Sequence, residues 1–271
     1  STITNPCVLF TTEQGFHMYV GIGMIIAAIF TYIGASWITA PYGRFINSYK
    51  GVTLPSWLGW IWMESPTVWW SVFNLGYGLI MCNNGISMSL KDILLLSAFL
   101  VHYMNRSFIY PLRMNSVAAN KPMPAVICMS AWFFCFVNGY LQSTSLIRFP
   151  SPEQDVITLW ELAGFALFVW GFLSNMYCDH ILQNLRKNPS DKSYHVPRGY
   201  LFEYVSSANY FAEIVEWFGF AMASGFALPQ LAFAIYTASN LVPRARSAHQ
   251  WYLTKFDDYP KSRKAIIPFV Y

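Results

Sequence analysis

Long apolar segments are the feature that most constrains how this chain can fold. Of its 271 residues, 55% are hydrophobic and 18% are aromatic, whereas only 11% are charged. A typical soluble domain carries about 25% charged residues. Seven apolar segments are long enough to cross, or nearly cross, about 30 Å of hydrocarbon. The sequence therefore predicts an all-α, polytopic membrane protein that forms a single domain over residues 1–271.

The predicted spans are separated by short polar or basic segments. They run over residues 16–39, 56–82, 93–110, 122–145, 158–179, 205–224 and 226–242. The last two are separated near Gly225, which predicts either a tight hairpin or one broken helix. The first 15 residues lack a basic region followed by an apolar core, so we expect no cleaved signal peptide and an uncleaved first span.

The basic residues are distributed unevenly between the predicted loops. With seven spans, 14 of the 17 Lys and Arg residues fall in the segments 40–55, 111–121, 180–204 and 243–271, which lie on one side. Because cytosolic loops are enriched in Lys and Arg, this pattern predicts an outward N-terminus and a cytosolic C-terminus. The net charge of +4 is modest and indicates basic cytosolic loops, so we expect no nucleic-acid partner.

Polar residues cluster near the end of the fifth predicted span, which is unusual for a membrane segment. Asn175, Asp179 and Arg186 are separated by four and seven residues, so they lie near one helix face. One interpretation is an ion pair at a helix end, where charged side chains reach the membrane surface. The other is a nucleotide site, in which the carboxylate and amide bind ribose or amide groups and the guanidinium binds phosphate.

Asn209, Glu213 and Glu216 repeat this spacing in the sixth predicted span. Two carboxylates on one helical stripe need hydrogen-bond donors inside the protein, because a lipid-facing carboxylate is costly. The candidate donors are Arg186, Arg198 and Arg244. Both a structural pairing of the last spans and a ligand site account for this stripe.

A second polar group lies in the second and third predicted spans. Glu64 interrupts the run WLGWIWMESPTVWW, where a carboxyl group must be protonated or strongly paired. Tyr103, Arg106 and Tyr110 follow at helical intervals of three and four residues. If Glu64 and Tyr103 lie close together, they form a buried acid pair that can donate hydrogen bonds to a carbonyl oxygen. Tyr103 without Glu64 is better explained as a core aromatic residue.

Sequence motifs typical of metal sites, disulfide or redox cysteine pairs, soluble nucleotide-binding domains and serine hydrolases are missing from the sequence. The histidines have no metal-ligand spacing, so we expect no metal site. The five cysteines contain no CxxC pair, which favours small buried hydrophobic residues. The chain shows no strand pattern with a GxGxxG motif, no P-loop and no GxSxG motif, which excludes a Rossmann domain and argues against the other two types of site.

Motifs spread over residues 56–271 match a pattern known from one protein family. They are WMESP at 62–66, HYMNRSFIYPL at 102–112, KPMP at 121–124, NGYLQ at 138–142, NMYCDHILQNLRK at 175–187, PRGYLFEYVSSANYFAEIVEWFGFA at 197–221 and WYLTKFDDYPKSRKAIIPF at 251–269. Together they resemble the steroid 5α-reductases, the membrane-embedded NADPH-dependent 3-oxo-5α-steroid 4-dehydrogenases. Met63, Lys121 and Ser130 depart from residues found in some members, which leaves the identity of the steroid open.

The resemblance implies both a fold and a reaction. The family has seven transmembrane helices and a cofactor cavity open towards the cytosol. NADPH delivers a hydride to C5 of a 3-oxo-Δ4-steroid, and C4 is then protonated. On that pattern, Glu64 and Tyr103 would hydrogen-bond the C3 carbonyl oxygen and stabilise the developing enolate. Residues 16–110 would form the substrate side and residues 122–271 the NADPH side.

The cofactor positions also follow from the resemblance. They correspond to Tyr42, Arg44, Arg106, Tyr110, Asn175, Asp179, Arg186, Tyr194, Asn209, Glu213, Arg244 and Tyr252. Asn209 and Glu213 would hold the nicotinamide end, and basic residues would bind the pyrophosphate and the 2′-phosphate. We expect a monomer in a lipid bilayer, in the endoplasmic reticulum of a eukaryote or the inner membrane of a bacterium.

Other membrane proteins remain alternatives. A trans-2-enoyl-CoA reductase or a polyprenol reductase shares the C-terminal pattern, and the former would need basic residues for the CoA head group. A methyltransferase of the isoprenylcysteine carboxyl type would bind S-adenosylmethionine and would not need Glu64 with Tyr103. A sterol-binding or transport protein would line a path with its polar residues and would not gather them at the cytosolic ends.

Overall fold

The computed structural model describes residues 11–41, 43–81, 88–149, 156–186 and 193–271, which are mainly helical. The α-helices are α1 (Thr11–Trp37), α2 (Ser56–Met81), α3 (Leu90–Met104), α4 (Tyr110–Leu112), α5 (Ser116–Ala119), α6 (Ala125–Arg148), α7 (Leu159–Gln183), α8 (Ala208–Ala223) and α9 (Leu228–Lys255). Gly43–Ser48 and Tyr200–Glu203 form 3₁₀ turns, and Asn105–Ile109 forms a π-helical turn that joins α3 to α4.

Four of the described helical segments are long and apolar enough to cross a membrane. They are Thr12–Trp37, Leu90–Leu112, Ala125–Arg148 and Leu159–Gln183. Helix α8 has only 16 residues, and polar side chains interrupt α2 and α9. These findings support the predicted class of all-α membrane protein. The number of seven spans and the orientation of the termini stay predictions.

A short antiparallel sheet, which the sequence did not indicate, joins two of the helices at their beginnings. Strand β1 (Thr53–Pro55) pairs with β2 (Pro122–Pro124), and Leu54 lies opposite Met123. Each strand has three residues, which is too short for the apolar alternation that identifies a strand in a sequence. The pairing holds the beginning of α2 beside the beginning of α6.

Local sequence signals define several helix ends. The hydroxyl of Thr158 accepts a hydrogen bond from the backbone N–H of Glu161 at 3.2 Å, and the carboxylate of Glu161 accepts one from the backbone N–H of Thr158 at 2.9 Å. This reciprocal capping box starts α7. Between α8 and α9, Gly225 and Phe226 have φ values of +71° and +58°. The left-handed turn makes the last two helices a hairpin, not one broken helix.

Glycines bring α7 and α8 into direct backbone contact. A Cβ atom on Gly171 would lie 2.5 Å from the backbone nitrogen of Glu216, and one on Gly219 would lie 2.5 Å from the backbone nitrogen of Phe168. Small residues allow this close approach between membrane helices. It places the polar stripes of the two helices opposite each other.

Aromatic side chains fill the centre of the bundle between α3, α8 and α9. Phe99, Trp217, Phe220 and Phe233 are all buried. The ring centroids of Trp217 and Phe233 lie 4.3 Å apart, and those of Phe99 and Trp217 lie 6.2 Å apart. Tilted and edge-on ring pairs add to the stabilisation that comes from burial. This cluster packs against His102 and Tyr103 of the candidate site.

The C-terminal segment 256–271 folds back onto the loop that precedes α8. The backbone N–H of Lys264 donates to the carbonyl oxygen of Tyr204, and the N–H of Ser206 donates to the carbonyl oxygen of Lys264, each at 2.9 Å. The guanidinium of Arg263 is buried; it donates to the carbonyl oxygen of Pro197 at 2.9 Å and lies 3.3 Å from the carboxylate of Glu203. The segment therefore fixes the loop over residues 197–206.

We expect Gly171→Ala to destabilise the helix pair, because its Cβ would meet backbone atoms of α8 that cannot move aside. Overpacking of this kind costs about 1–3 kcal/mol. The thermal unfolding midpoint in detergent should fall. The matched control is Gly76→Ala in α2, where no atom lies within 4 Å of the new Cβ. Equal losses in the two variants would contradict the close packing of α7 against α8.

Candidate functional site

A π-helical turn shapes the site at the end of α3. Within Asn105–Ile109 the helix widens, and Pro111 follows in α4 without a backbone N–H of its own. The backbone N–H of Tyr110 donates to the carbonyl oxygen of Asn105. Single π turns are frequent at functional sites because they change the direction of side chains within a continuous helix. Here Tyr103, Arg106 and Tyr110 line the same cavity.

Arg106 is the centre of a buried polar network. Its Nη1 donates to Asp179 Oδ2 at 2.7 Å, and its Nη2 lies 3.7 Å from Glu213 Oε2. The guanidinium carbon lies 4.4 Å from the ring centroid of Trp60 and 4.9 Å from that of Tyr110. The cation is therefore paired with two carboxylates and flanked by two aromatic faces, which compensates for its removal from water.

Two amides complete this network between α7 and α8. Asn209 Nδ2 donates to Asp179 Oδ1 at 3.1 Å. Asn175 Nδ2 donates to the carbonyl oxygen of Asn209 at 2.9 Å and to Glu213 Oε2 at 3.5 Å. The residues that helical spacing predicted to share a face are thus brought together.

The partners of the carboxylates differ from those proposed from sequence. Asp179 pairs with Arg106 across the bundle, and no described contact joins it to Arg186, which follows the end of α7. Glu213 contacts Arg106 and Asn175, and Glu216 contacts His102, so Arg186, Arg198 and Arg244 are not their donors among the described contacts. The distances across the bundle could not be read from spacing along a single helix.

Glu64 and Tyr103 line one cavity of about 380 Å³, which we call the Glu64 cavity. Each of the two side chains bonds to a different residue of α6. Glu64 Oε2 accepts a hydrogen bond from the thiol of Cys135 at 3.3 Å. The hydroxyl oxygen of Tyr103 accepts one from Asn138 Nδ2 at 3.2 Å. The hydroxyl proton of Tyr103 is thereby left for a ligand.

Two amide side chains of α6 form a network behind Tyr103. Gln142 Nε2 donates to Asn138 Oδ1 at 3.1 Å and to the carbonyl oxygen of Pro229 at 2.9 Å. Asn138 and Gln142 are separated by four residues on α6, and both are completely buried. Their spacing in NGYLQ was a visible signal, although helix–helix bonding explained it equally well. Nothing in the sequence indicated that Cys135 contacts Glu64 or that Trp60 flanks Arg106.

A second cavity of about 680 Å³, which we call the Arg186 cavity, adjoins the first. The predicted cofactor residues that line it are Arg186, Tyr194, Asn209, Arg244 and Tyr252. The guanidinium carbon of Arg186 lies 4.6 Å from the ring centroid of Tyr194. Asn209 and Arg244 line both cavities, so the two spaces share a wall.

Two predicted cofactor residues cannot be placed. Tyr42 and the side chain of Arg44 lie outside the described part of the chain. Pro41 and Gly43, on either side of Tyr42, line the Arg186 cavity.

Two ionisable side chains near the wall of the Arg186 cavity have shifted pKa values. The backbone N–H of Gly199, and then Arg263, lower the pKa of Glu203 below its usual value. Burial, and then Lys264, lower the pKa of His249, which lies beyond the last predicted span. The neutral imidazole of His249 shares a hydrogen bond of 2.6 Å with Ser206, whose neighbour Ser207 also lines the cavity. The C-terminal segment thus supports one wall of this cavity.

Comparison with known proteins identifies the family. A sequence model described as Steroid_dh, 3-oxo-5-alpha-steroid 4-dehydrogenase, matches residues 121–271. The 3-oxo-5-alpha-steroid 4-dehydrogenase 1 of Rattus norvegicus is 42% identical over 90% of this chain and 91% of its own length. This chain belongs to the 3-oxo-5-alpha-steroid 4-dehydrogenase family.

Relatives from other organisms agree with this membership in the family. Steroid 5-alpha-reductase DET2 of Gossypium hirsutum is 39% identical over 96% of this chain and 99% of its own length. The 3-oxo-5-alpha-steroid 4-dehydrogenase 1 of Homo sapiens is 42% identical over 85% of this chain and 86% of its own length. The resemblance inferred from the motifs is confirmed, and the chain is an oxidoreductase that acts on CH–CH groups.

The residues of this member of the 3-oxo-5-alpha-steroid 4-dehydrogenase family fit a dinucleotide. Ligand cavities typically have volumes of about 300–1,000 Å³, and both cavities fall in that range. The buried Nε of Arg244 has no hydrogen-bond partner in the described segments, and an anion would provide one. Guanidinium groups suit phosphates, and the amide and carboxylate groups near the shared wall suit a nicotinamide amide.

We expect Arg106→Ala to destabilise the protein even without a ligand, because Asp179 and Glu213 would remain buried without their counter-charge. Breaking a buried pair in this way costs about 3–5 kcal/mol. Thermal unfolding in detergent would show this as a lower midpoint. The matched control is Arg113→Ala, since Arg113 is exposed and should change stability by less than about 0.5 kcal/mol. Similar midpoints for the two variants would show that Arg106 does not stabilise the network.

Proposed function

We propose that this protein reduces the Δ4 double bond of 3-oxo-Δ4-steroids by hydride transfer from NADPH to C5. The observation that carries the proposal is the shared wall between two cavities. One contains Glu64 and Tyr103, which can hold a ketone, and the other contains Arg186 and Arg244, which can hold phosphates. The family membership and the printed names of the relatives support the same reaction.

The proposed cofactor site extends along α7, α8 and α9. Arg186 and Arg244 would bind the phosphate groups, with Tyr194 and Tyr252 beside them. Asn209 and Glu213 would hold the nicotinamide end where the two cavities meet. The remaining proposed contacts are Tyr42, Arg44, Arg106, Tyr110, Asn175 and Asp179. When bound, NADPH supplies the hydride.

The proposed role of Glu64 and Tyr103 is to hold the C3 carbonyl oxygen. Tyr103 has its hydroxyl oxygen occupied by Asn138, so its proton can point towards a carbonyl. Glu64 can donate in its protonated form, on the other side of the same oxygen. Both groups stabilise the negative charge that develops when the β-carbon gains a hydride. Each such donor typically contributes about 3–4 kcal/mol in the transition state.

The walls of the Glu64 cavity suit an apolar ring system. They include the aromatic and apolar side chains of Trp60, Met63, Phe134, Phe233 and Tyr236. The polar side chains in the same lining include Glu64, Tyr103 and Arg106. A fused steroid with one ketone matches this division, because its apolar body needs no donors.

The topology, oligomeric state and compartment of the enzyme belong to the same proposal. We propose seven spans, a cytosolic C-terminus, and a monomer in the endoplasmic reticulum or in a bacterial inner membrane. This orientation places the Arg186 cavity on the side rich in Lys and Arg, where NADPH is present.

A substrate panel tests the proposed function directly. Purified protein is incubated with NADPH and with testosterone, progesterone, an enoyl-CoA or a polyprenol precursor, and the products are identified by mass. We expect the two steroids to gain two mass units. Reduction of the enoyl-CoA or the polyprenol precursor alone would favour the corresponding reductase, and no NADPH oxidation with any substrate would refute the proposal.

We expect Glu64→Gln to lower kcat for testosterone reduction by roughly 10²-fold, because the donor to the carbonyl is weakened. The NADPH dissociation constant should remain nearly unchanged. Absorbance at 340 nm gives the rate, and tryptophan fluorescence gives the affinity. The control is Asp258→Asn, since Asp258 is exposed and lines neither cavity. A normal kcat in Glu64→Gln would remove Glu64 from the mechanism.

We expect Arg186→Ala to raise the NADPH dissociation constant by roughly 10–100-fold while changing NADH binding much less. The reason is that a charged hydrogen bond to the 2′-phosphate, worth about 1.5–3 kcal/mol, exists only with NADPH. Fluorescence titration with both dinucleotides measures the difference. The exposed Arg198 provides the control variant Arg198→Ala. Equal losses for NADPH and NADH would assign the 2′-phosphate to another residue.

A further inference from the structure

A buried contact between His102 and Glu216 has no role in the reaction as described so far. His102 Nδ1 lies 2.6 Å from Glu216 Oε1, and the two side chains are 5% and 0% exposed. His102 lies on α3 and Glu216 lies on α8. Such a short contact in a dry interior is stronger than a similar contact in water.

The two ends of this pair face different surroundings. His102 lines the Glu64 cavity, whereas Glu216 does not. Within the part of the chain that the structure describes, His102 Nε2 has no hydrogen-bond partner. The ring centroids of Trp217 and His102 lie 4.5 Å apart, and the two ring planes form an angle of 61°. This packing limits the rotation of the imidazole. The pair therefore has the geometry of a carboxylate that orients an imidazole towards a reacting group.

Burial requires the pair to hold a proton at rest. Glu216 Oε2 is buried without a hydrogen-bond partner in the described segments, so a bare carboxylate at this position is compensated only through His102. With one proton shared between Nδ1 and Oε1, and another on Nε2, the pair as a whole is neutral. Loss of the Nε2 proton makes it negative.

Charged and titratable groups surround the pair. Those that interact with His102 or line the same cavity are Glu64 on α2, Tyr103 on α3, Arg106 on the π turn, Cys135 on α6, Asp179 on α7, Glu213 on α8 and Arg244 on α9. The carboxylates of Asp179 and Glu213 are already paired with Arg106, and burial of the pair itself disfavours a further negative charge on it. The pair should release its proton when a more basic group forms beside it, such as an enolate.

The position of His102 matches the site where this reaction needs a proton. C4 is two bonds from the carbonyl oxygen, so a group that protonates C4 must lie next to the group that holds the oxygen. His102 precedes Tyr103 on α3, and their ring centroids lie 5.1 Å apart. We propose that His102 is the general acid that protonates C4 and that Glu216 orients it, an inference that rests on the proposed function.

The step conserves atoms and charge. Once the β-carbon has gained a hydride, the enolate electron pair forms a C–H bond at C4 with the proton of His102 Nε2. The Nε2–H bond breaks, the C3 carbonyl forms again, and the negative charge moves to the pair. His102 then regains one proton from solvent, which accounts for the single proton consumed in each turnover.

The reverse of this step can be measured without a hydride transfer. A saturated 3-oxo-5α-steroid is incubated with the enzyme and NADP⁺ in D₂O, and deuterium at C4 is followed by NMR. We expect the wild type to exchange one C4 hydrogen faster than either hydrogen at C2, which is an internal control. His102→Asn keeps an amide near the position of Nδ1 but lacks Nε2, and it should slow exchange at C4 by about 10²–10⁴-fold.

The pH dependence of steroid reduction is a second measurement. The wild-type kcat should fall as the pH rises, because the pair loses its Nε2 proton. The kcat of His102→Asn should be low at every pH and should not show this decline. NADPH affinity should not change. The matched control is His17→Gln, because His17 is also buried but bonds through Nε2 to the carbonyl oxygen of Leu141, away from both cavities. The control should retain both the exchange rate and the pH profile.

The possible results separate the two proposals. If the wild type reduces 3-oxo-Δ4-steroids and His102→Asn keeps wild-type C4 exchange and pH dependence, the role of His102 is overturned and the proposed function stands. If the wild type reduces no such steroid, the proposed function fails, and the role of His102 fails with it. Should His102→Asn not fold, Glu216→Gln replaces it: slower C4 exchange supports the role, and wild-type exchange overturns it.

Discussion

The pairing of Arg106 with Asp179 and Glu213 is the constraint on which the rest of the site depends. A guanidinium inside an apolar bundle is stable only where carboxylates and aromatic faces replace water. Those partners come from α7 and α8, while Arg106 lies on the π turn after α3. The pairing therefore fixes the distance between the part of the chain that carries Tyr103 and the part that carries the proposed cofactor residues.

The arrangement separates two kinds of chemistry on either side of a common wall. Aromatic and apolar side chains surround Glu64 and Tyr103, so each polar group there acts in a low dielectric, where its interactions are strong. Basic and aromatic residues around Arg186 and Arg244 suit a charged ligand that arrives from water. In the proposed reaction, the ketone and the dinucleotide meet where Asn209 and Glu213 lie.

Sequence reasoning identified the elements of the site better than the contacts within it. Helical spacing predicted that Asn175 and Asp179 share a face, and the structure brings them together with Asn209 and Glu213. Spacing along one helix does not show which other helix lies opposite, so the donors proposed for Glu213 and Glu216 were wrong. The π turn, the short β pairing and the Cys135 thiol on Glu64 depend on tertiary contacts that leave no periodic signal. The resemblance to a family supplied the reaction, which residue patterns alone did not.

The glycine contacts between α7 and α8 have a consequence for how the site meets its ligands. Because backbone touches backbone at Gly171 and Gly219, the separation of these helices does not depend on flexible side chains. The amides and carboxylates mounted on them keep their mutual positions whether or not a ligand is present. The conformational entropy of these side chains is therefore lost when the chain folds and not when a ligand binds. A ligand binds to a preorganised surface, and more of its interaction energy contributes to affinity.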